Sequence, residues 1–395
     1  MNCLVDKNIC GKKVLVRVDF NVPLNANFQI IDDNRIRCAL PTIKQLISLK
    51  AKIILISHLG RPEKKEIKFS LSHIVGRLSK LLSKKIYFSS SCVGKEAFNA
   101  VKNLKNGDVL MLENLRYHKE EKMGDQNFSK KLSSLADIYI NDAFGTAHRE
   151  HASTSVIAGY FPKNKYLGLL FKKELSSLKK VFDCSEKPFT AIIGGAKISS
   201  KIDVIDSLID KVDNLIIGGG MSYTFAKAKG GKIGMSLLED DKVKLAQIII
   251  EKCREKDVNL LLPIDSVNSD KFSNDSIVSE SDILKIKDNE IGMDIGPKSI
   301  SLFSNTIQKS KTIIWNGPMG VFEMSNFENG TKEIALAVCK ATKDGAFSLV
   351  GGGDSTSAIK KYNLQNSISY ISTGGGAMLA FLEGKELSAV KAICQ

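Results

Sequence analysis

Short apolar runs that alternate with amphipathic segments constrain the fold of this chain more than any other feature. Each run is rich in Val, Ile and Leu and leads into Gly, Asn, Asp or His. The nine clearest runs lie at residues 13–20, 52–59, 108–114, 137–144, 189–195, 214–220, 259–265, 311–317 and 347–353. Runs that are apolar on both faces are typical of parallel strands covered by helices on both sides. The sequence therefore predicts an α/β fold built from doubly wound parallel sheets.

The chain has 395 residues, which is too long for one ordinary core and suits about two domains. The segment 167–183 has helical periodicity, with Leu167, Phe171, Leu175, Leu178 and Phe182 on one face. The strand-like runs lie on its two sides in roughly equal shares. We interpret it as a helix that joins two Rossmann-like domains, residues 1–170 and 171–372. The alternative is a core helix within one large sheet.

Cationic and polar side chains follow the runs of the first half. Ligands of doubly wound sheets bind beyond the carboxyl ends of the strands, so these positions form one candidate set. Its main members are Asp19, Asn21, Arg35, His58, Arg61, Arg116 and Arg149. Arginine suits bidentate binding of carboxylate and phosphate oxygens. One such arginine is usually a surface ion pair, but a set on several separate loops indicates a small, highly anionic substrate.

Glycines take the corresponding positions in the second half, at 194–195, 218–220, 351–353 and 374–376. Glycine lets backbone N–H groups approach phosphates closely, which indicates a nucleotide site. No run fits a Walker loop, and none combines GxGxxG with a downstream acidic residue, which disfavours a nicotinamide cofactor. If the segment around Lys197 and Lys201 is helical, both lysines face one side. Asp354 is the natural carboxylate for a Mg²⁺ ion that bridges nucleotide phosphates.

The formal net charge of +14 leaves nucleic-acid binding open as an alternative. The lysines are scattered, and no basic run is interleaved with aromatic residues, so a pocket for small phosphates explains the charge more simply. A Rossmann-type dehydrogenase and a catalytically inactive scaffold also stay open at this point. No apolar stretch is long enough for a membrane helix, and the first residues lack a signal or transit pattern. We therefore expect a cytoplasmic protein.

Taken in order, these motifs resemble the phosphoglycerate kinase family over essentially the whole chain. The matching segments are VLVRVDFNVP, RIRCALPTI, ISHLGRP, LENLRYH, INDAFGTAHREHAS, IIGGAKIS, IIGGGMSYTF, DIGPKSI, WNGPMGVFE, VGGGDST and STGGGA. The resemblance implies a monomeric glycolytic enzyme that moves a phosphoryl group between 1,3-bisphosphoglycerate and MgADP by hinge closure. It also implies that the carboxyl-terminal tail, 373–395, packs on the first domain.

The resemblance assigns roles to individual residues. The implied phosphoglycerate ligands are Asp19, Asn21, Arg35, His58, Leu59, Gly60, Arg61, Arg116 and Arg149. The implied nucleotide ligands are Lys201, Gly292, Glu323, Gly351, Gly352, Gly353 and Asp354, with Asp354 also on Mg²⁺. The implied catalytic groups are Arg35, Lys197, Gly374 and Gly375. The chain departs from the family pattern at Ser200, Asn268, Ser269, Ser355 and Ala380, and Ser200 and Ala380 are the departures expected to affect interdomain closure.

Overall fold

The computed structural model describes residues 9–183 and 185–395. The amino-terminal segment, for which the sequence predicts no targeting signal, lies largely outside them. By their contacts the described residues divide into two compact units. The first comprises the chain up to Leu175 together with Glu386–Gln395, and the second comprises Ser176–Lys385. Among the described helices, none combines the length and the apolar character that crossing a membrane requires.

The strands of the described chain follow in order. They are β1 (Lys13–Arg17), β2 (Lys52–Ile56), β3 (Ile86–Ser89), β4 (Val109–Leu112), β5 (Ile138–Asn141), β6 (Lys165–Leu167), β7 (Phe189–Ile193), β8 (Asn214–Ile217), β9 (Lys232–Ile233), β10 (Asn259–Leu261), β11 (Asp265–Ser269), β12 (Val278–Asp282), β13 (Lys285–Ile286), β14 (Ile291–Ile295), β15 (Thr312–Asn316), β16 (Phe347–Gly351) and β17 (Tyr370–Ile371).

The α-helices lie between these strands. They are α1 (Asn34–Ser48), α2 (Ser72–Leu82), α3 (Gly94–Lys102), α4 (Lys119–Met123), α5 (Gln126–Ser133), α6 (Leu169–Asp183), α7 (Ile202–Ile209), α8 (Ser222–Ala228), α9 (Val243–Glu255), α10 (Pro297–Lys309), α11 (Asn329–Lys343), α12 (Gly353–Lys361), α13 (Gly375–Leu382) and α14 (Ser388–Cys394).

The first unit is built on a six-stranded parallel sheet in the order β3-β4-β2-β1-β5-β6. The central strands are fully buried after their first residues, as the continuous apolar runs predict. From β1 the chain proceeds to β2 on one side, and β5 lies on the other. Such a reversal opens a crevice at the carboxyl ends of the strands.

The second unit repeats this plan with a six-stranded parallel sheet in the order β10-β8-β7-β15-β16-β17. It also contains elements that the sequence analysis did not predict. β11 pairs antiparallel with β12 and β14, and β9 pairs with β13. The predicted run 259–265 is therefore not one strand, because β10 ends at Leu261 and Asp265 begins β11. The α/β fold with two parallel-sheet units is confirmed.

Helix α6 begins at Leu169, and Leu167, which we placed on the helix, is the last residue of β6. Phe171, Leu175 and Leu178 are buried, as the periodicity predicts. The chain passes from the first unit to the second within this helix, between Leu175 and Ser176, rather than near residue 170.

Only the last part of the predicted tail groups with the first unit. Helix α13 belongs to the second unit, where the Phe381 ring packs edge-on against Phe182 with ring centroids 5.5 Å apart. Helix α14 belongs to the first unit. The Ala389 N–H donates to the Ala147 carbonyl at 2.9 Å, and the Lys165 ammonium donates to the Ala392 carbonyl at 2.6 Å. The returning segment therefore begins at Glu386 and not at residue 373.

Candidate functional site

The cationic residues predicted in the first unit lie together beyond the carboxyl ends of its strands. Asp19 follows β1, His58 follows β2, and Arg116 sits in a 3₁₀ turn after β4. Arg149 lies in the loop after β5, and Arg35 comes from the first turn of α1. The parallel sheet brings these separate segments to one edge.

Asp19 organises the part of this cluster nearest β1. Its Oδ2 accepts from Arg35 Nη1 at 2.9 Å, and its Oδ1 accepts from the Asn21 N–H at 3.2 Å. The His58 Nδ1 lies 3.9 Å from the same Oδ1. Asp19 is 8% exposed, whereas the Arg35 side chain is 36% exposed. The guanidinium of Arg35 is thus anchored on one side and accessible on the other.

The loop after β2 is held in place from two directions. The Gly60 N–H donates to Asn21 Oδ1 at 2.8 Å, and Arg116 donates to the Gly60 carbonyl. Gly60 has φ +63°, and a Cβ there would lie 2.4 Å from the Phe69 ring. Buried Asn114 accepts from the Leu59 N–H at 3.2 Å and donates to the Leu59 carbonyl at 2.8 Å. The loop that carries His58 therefore has one well-defined conformation.

The electrostatics of this cluster favour an anionic ligand. Burial lowers the pKa of Arg116 to about 10, and the charges of Arg17 and Arg149 add to that effect. Burial and the neighbouring Arg61 also lower the pKa of Arg149, and burial next to Arg149 lowers the pKa of His151 to about 4. Each lowered pKa means that burial and the neighbouring cations destabilise the charged form of that residue. A carboxylate or phosphate bound here would relieve that cost.

Three buried residues support the cluster, and of these the sequence singled out only Arg17, as one of the cations at the end of a strand. Arg17, Asn114 and Glu121 are 1%, 0% and 1% exposed. Arg17 donates to His58, Asn114 holds the loop of Leu59, and Glu121 accepts from Ser153. A charged residue at the end of an otherwise apolar strand, as Arg17 is, stands out in the sequence because burial of a charge requires a partner. Asn114 and Glu121 gave no such signal.

The second unit contains a cavity of about 520 Å³ at the carboxyl ends of its strands. Of the predicted nucleotide ligands, Gly292, Glu323 and Asp354 line it. The sequence analysis missed its largely apolar wall, which is formed by Tyr223, Met235, Leu237, Phe272, Met293, Pro318, Met319 and Val321. A cavity with apolar walls and a few polar groups suits a nucleotide base and ribose.

Lys201 and two glycine-rich turns, 351–353 and 374–375, form a candidate phosphate-binding site. The Lys201 ammonium donates to Asn316 Oδ1, and Asn316 Nδ2 donates to the Gly351 carbonyl at 2.9 Å. Gly352 has φ +95°, and a Cβ there would lie 2.8 Å from Asn316 Nδ2. A Cβ on Gly375 would lie 3.6 Å from the Gly352 Cα, so the turns at 351–353 and 374–375 adjoin. Their backbone N–H groups begin α12 and α13.

Lys197 and Lys201 do not share a helix, contrary to the helical alternative considered for this segment. Lys197 is extended, with φ −130° and ψ +130°, and a 3₁₀ turn at Ile198–Ser200 separates it from Lys201 at the start of α7. Lys197 is exposed while Lys201 is half-buried. Burial lowers the pKa of Lys201, and Asp354 opposes that effect. Lys197 is thus the more accessible of the two ammonium groups.

Asp354 suits a magnesium ion that is held mainly by nucleotide phosphates. It is exposed in the first turn of α12 and close enough to Lys201 to affect its pKa. Within 9–183 and 185–395, no group of three or more His, Cys, Asp or Glu side chains could enclose a metal ion. Mg²⁺ is usually bound by one or two carboxylates together with phosphates and water, which one carboxylate beside a phosphate site satisfies.

Three of the departures from the family pattern have local structural explanations. The Ser355 hydroxyl accepts from the Gly317 N–H at 2.6 Å, a bond that a threonine hydroxyl would also provide. Ser200 donates to the Lys197 carbonyl at 2.8 Å and so helps to form the 3₁₀ turn. Asn268 is buried and donates to Ser281 at 2.9 Å. The described contacts give Ala380 no comparable role.

Gly292 lines the cavity, so replacing it with alanine is expected to weaken the binding of any nucleotide held there about ten- to hundredfold. A Cβ at Gly292 would lie 2.2 Å from the Tyr223 hydroxyl. Tyr223 cannot retreat easily, because it is 4% exposed and its hydroxyl is hydrogen-bonded to Ser266 at 2.9 Å. Calorimetric titration with ADP measures the effect. Gly76→Ala is the matched control, since a Cβ there meets nothing within 4 Å. Unchanged ADP affinity in Gly292→Ala would contradict the prediction.

Comparisons with known proteins extend over nearly the whole chain. A family model described as phosphoglycerate kinase matches residues 4–385. Curated relatives named phosphoglycerate kinase include one from Porphyromonas gingivalis, 48% identical with 98% of each chain covered. Another, from Dictyoglomus turgidum, is 51% identical and covers 98% of this chain and 96% of its own.

Two solved structures that resemble this chain are also phosphoglycerate kinases. The structure of phosphoglycerate kinase from Coxiella burnetii has a TM-score of 0.89 at 40% identity and covers 99% of this chain and 98% of that one. The crystal structure of the enzyme from Pyrococcus horikoshii has a TM-score of 0.87 at 32% identity, with 100% and 98% covered. Similarity of this extent covers both units.

Proposed function

Because this chain belongs to the phosphoglycerate kinase family, we propose that it transfers a phosphoryl group reversibly between 1,3-bisphosphoglycerate and ADP in glycolysis. The observation that carries the proposal is the cluster of arginines in the first unit, which separate segments bring together at the carboxyl edge of one sheet. Burial and neighbouring cations lower the pKa of Arg116 and of Arg149, which favours an anionic ligand there. The reaction also requires a nucleotide site, and the second unit contains a nucleotide-sized cavity beside the candidate phosphate-binding site.

The arginine cluster would hold phosphoglycerate. Asp19, Asn21, His58, Leu59, Gly60, Arg61, Arg116 and Arg149 form the proposed binding set, together with Arg35. Arg61 is exposed and Arg149 is half-buried. These two and Arg35 can therefore reach a ligand, while buried Asp19 orients Arg35. Phosphoglycerate carries a carboxylate and a phosphate, and several arginines on different loops can bind both ends.

The second unit would hold the nucleotide. The apolar cavity would take the base, exposed Glu323 the ribose, and Lys201 with the turn at Gly351, Gly352 and Gly353 the phosphates. Asp354 would hold Mg²⁺, which neutralises phosphate charge when it is bound. The β-phosphate oxygen of ADP is already ionised when it attacks, so the reaction requires no general base.

Charge stabilisation would provide most of the catalysis. In the forward direction the acyl-phosphate bond breaks to leave the carboxylate of 3-phosphoglycerate, and a new P–O bond forms to ADP. Negative charge spreads over the equatorial oxygens of the transferring group. We assign its neutralisation to Arg35, Lys197 and the backbone N–H groups at Gly374 and Gly375. Hinge closure would exclude water and so suppress hydrolysis of the acyl phosphate.

The test is ATP formation from 1,3-bisphosphoglycerate and ADP, measured with a coupled luminescent assay in the presence and absence of Mg²⁺. We expect turnover with Mg²⁺ and its loss when EDTA is in excess, and we expect Asp354→Asn to require more Mg²⁺ for half-maximal rate. A wild-type protein that binds both substrates yet forms no ATP would overturn the proposed function. Turnover that is unaffected by EDTA would overturn the proposed metal.

His58→Gln is expected to raise the KM for 3-phosphoglycerate up to about tenfold, the effect of losing one hydrogen bond, while kcat changes little. His58 is placed by Arg17 and Asp19 within the proposed binding set rather than beside the transferring group. Steady-state kinetics of the reverse reaction, with 3-phosphoglycerate and MgATP, measure both constants. A collapse of kcat at unchanged KM would assign His58 to the chemical step instead.

We further propose that the enzyme is a monomer in the cytoplasm, where glycolytic phosphates are exchanged. Light scattering coupled to size-exclusion chromatography tests the first statement, because a dimer would double the mass of 43.3 kDa. Fractionation of the source cells tests the second.

A further inference from the structure

Arg17, the last residue of β1, is a buried cation held by hydrogen bonds from three of its nitrogens. It is 1% exposed. Its Nε donates to Ser153 Oγ at 2.9 Å, its Nη1 donates to the Val18 carbonyl, and its Nη2 lies 3.1 Å from His58 Nδ1. These bonds fix the guanidinium plane. They also connect a strand of the sheet core to a residue of the proposed substrate site.

The contact between Arg17 and His58 determines which ring nitrogen of His58 carries a proton. A guanidinium can only donate hydrogen bonds. Nδ1 of His58 must therefore present its lone pair to Arg17, and a neutral ring then has its single proton on Nε2. A doubly protonated ring would direct an N–H group at a cation. The geometry thus selects one tautomer and one charge state.

Four arginines around His58 favour the same neutral state. Arg35 on α1, Arg116 in the turn after β4, Arg149 in the loop after β5 and Arg17 on β1 all contribute positive charge at the ring. The Asp19 carboxylate opposes them, with its Oδ1 3.9 Å from Nδ1. Burial first, and then these arginines, hold the pKa of His58 well below its usual range.

A buried carboxylate on α4 balances Arg17. Glu121 is 1% exposed and accepts from the Ser153 hydroxyl at 2.6 Å and from the Ser153 N–H at 3.0 Å. The same hydroxyl accepts from Arg17 Nε. Its one proton is committed to Glu121, so its lone pairs are available to Arg17. His151 Nδ1 lies 4.0 Å from Glu121. The chain of bonds from Glu121 through Ser153 and Arg17 ends at His58.

We infer that Arg17 is a positioning residue that holds His58 as a neutral Nε2–H donor for an oxygen of phosphoglycerate. Glu121 and Ser153 keep Arg17 in the orientation that this requires. The inference rests on the proposed function, because it takes His58 as a substrate ligand. Its consequence is that His58 donates a hydrogen bond without titrating, so its contribution to substrate binding stays constant across neutral pH.

The tautomer can be observed without catalysis. Long-range ¹H–¹⁵N spectra of protein labelled with ¹⁵N-histidine distinguish a protonated ring nitrogen from a bare one, and His58→Gln identifies the His58 signals among the five histidines. We expect a proton on Nε2 and a bare Nδ1 throughout about pH 5–8, the interval in which histidine usually titrates. A proton on Nδ1, or a charged ring within that interval, would overturn the inference.

Variants separate positioning from simple structural support. Leaving one buried charge without the opposite charge that balances it can unfold a protein, so the test uses Arg17→Met/Glu121→Gln, which removes both charges together. We expect mixed tautomers at His58, a KM for 3-phosphoglycerate raised about tenfold, and a KM that now varies with pH. Arg17→Lys retains one donor for Nδ1 and should restore the single tautomer. Exposed Arg254→Met on α9 is the control and should change none of these.

Two results would reject the positioning role. One is a single Nε2–H tautomer that survives in the double variant, and the other is a raised KM with no change in tautomer or pH dependence. A wild-type protein that does not bind 3-phosphoglycerate would instead reject the proposed function. The spectra would still report whether Arg17 fixes the ring, so the two failures are distinguishable.

Discussion

Replacing Arg35 with alanine is expected to lower kcat about 10²–10⁴-fold, which corresponds to about 3–5 kcal/mol of lost transition-state stabilisation. Arg35 is both anchored and accessible, since Asp19 holds Nη1 at 2.9 Å while 36% of the side chain is exposed. A guanidinium fixed on one side can meet developing charge without reorganising. Pre-steady-state measurement of ATP formation isolates this step.

Arg37→Ala is the matched control for Arg35→Ala. Arg37 lies two positions after Arg35 on the same helix. Its side chain is 52% exposed and pairs with Asp33, which directly precedes that helix. Exposed pairs of this kind contribute little to stability, so the fold should persist and kcat should remain near wild type. A similar loss of kcat in both variants would indicate a general electrostatic effect. A wild-type kcat in Arg35→Ala would remove Arg35 from the catalytic groups.

Lys197→Ala is expected to lower kcat by a similar factor, about 10²–10⁴, with little change in the affinity for ADP. Lys197 is exposed on an extended residue between β7 and the 3₁₀ turn, whereas Lys201 is half-buried and bonded to Asn316. The accessible ammonium is thus suited to the transferring group and the buried one to the bound nucleotide. Single-turnover rates and ADP titration separate the two effects.

Lys256→Ala provides the comparison for Lys197→Ala. Lys256 also lies in the second unit, is 54% exposed and pairs with Asp210 at 3.1 Å. Its removal changes the net charge by the same amount without approaching the glycine turns. An equal effect in both variants, or a loss of ADP affinity without a loss of kcat in Lys197→Ala, would contradict the assignment.

The sequence predicted the parallel sheets well because their strands are buried on both faces. The run FTAII and β7 coincide at Phe189–Ile193, where every residue is buried. It could not predict the antiparallel sheet, since β12 reads VSESD and alternates between exposed and half-buried residues. Such a strand depends on its neighbours rather than on its own hydrophobic pattern.

The candidate sites of the two units also differ in how far the sequence predicts them. Arginines and histidines after strands are conspicuous, so the sequence identified a cluster that the fold does bring together. The wall of the cavity in the second unit includes Tyr223, Met293 and Met319, which are 4%, 2% and 1% exposed. In a sequence these look like ordinary core residues. Only the fold shows which apolar side chains border a space.

The return of Glu386–Gln395 to the first unit has a consequence for the order of folding during synthesis. Domains generally fold as units as they leave the ribosome. The second unit, Ser176–Lys385, is fully translated before Glu386–Gln395 is made, and at that stage the first unit still lacks α14 and its bonds to Ala147 and Lys165. The unit whose synthesis begins first is therefore the one whose synthesis is completed second.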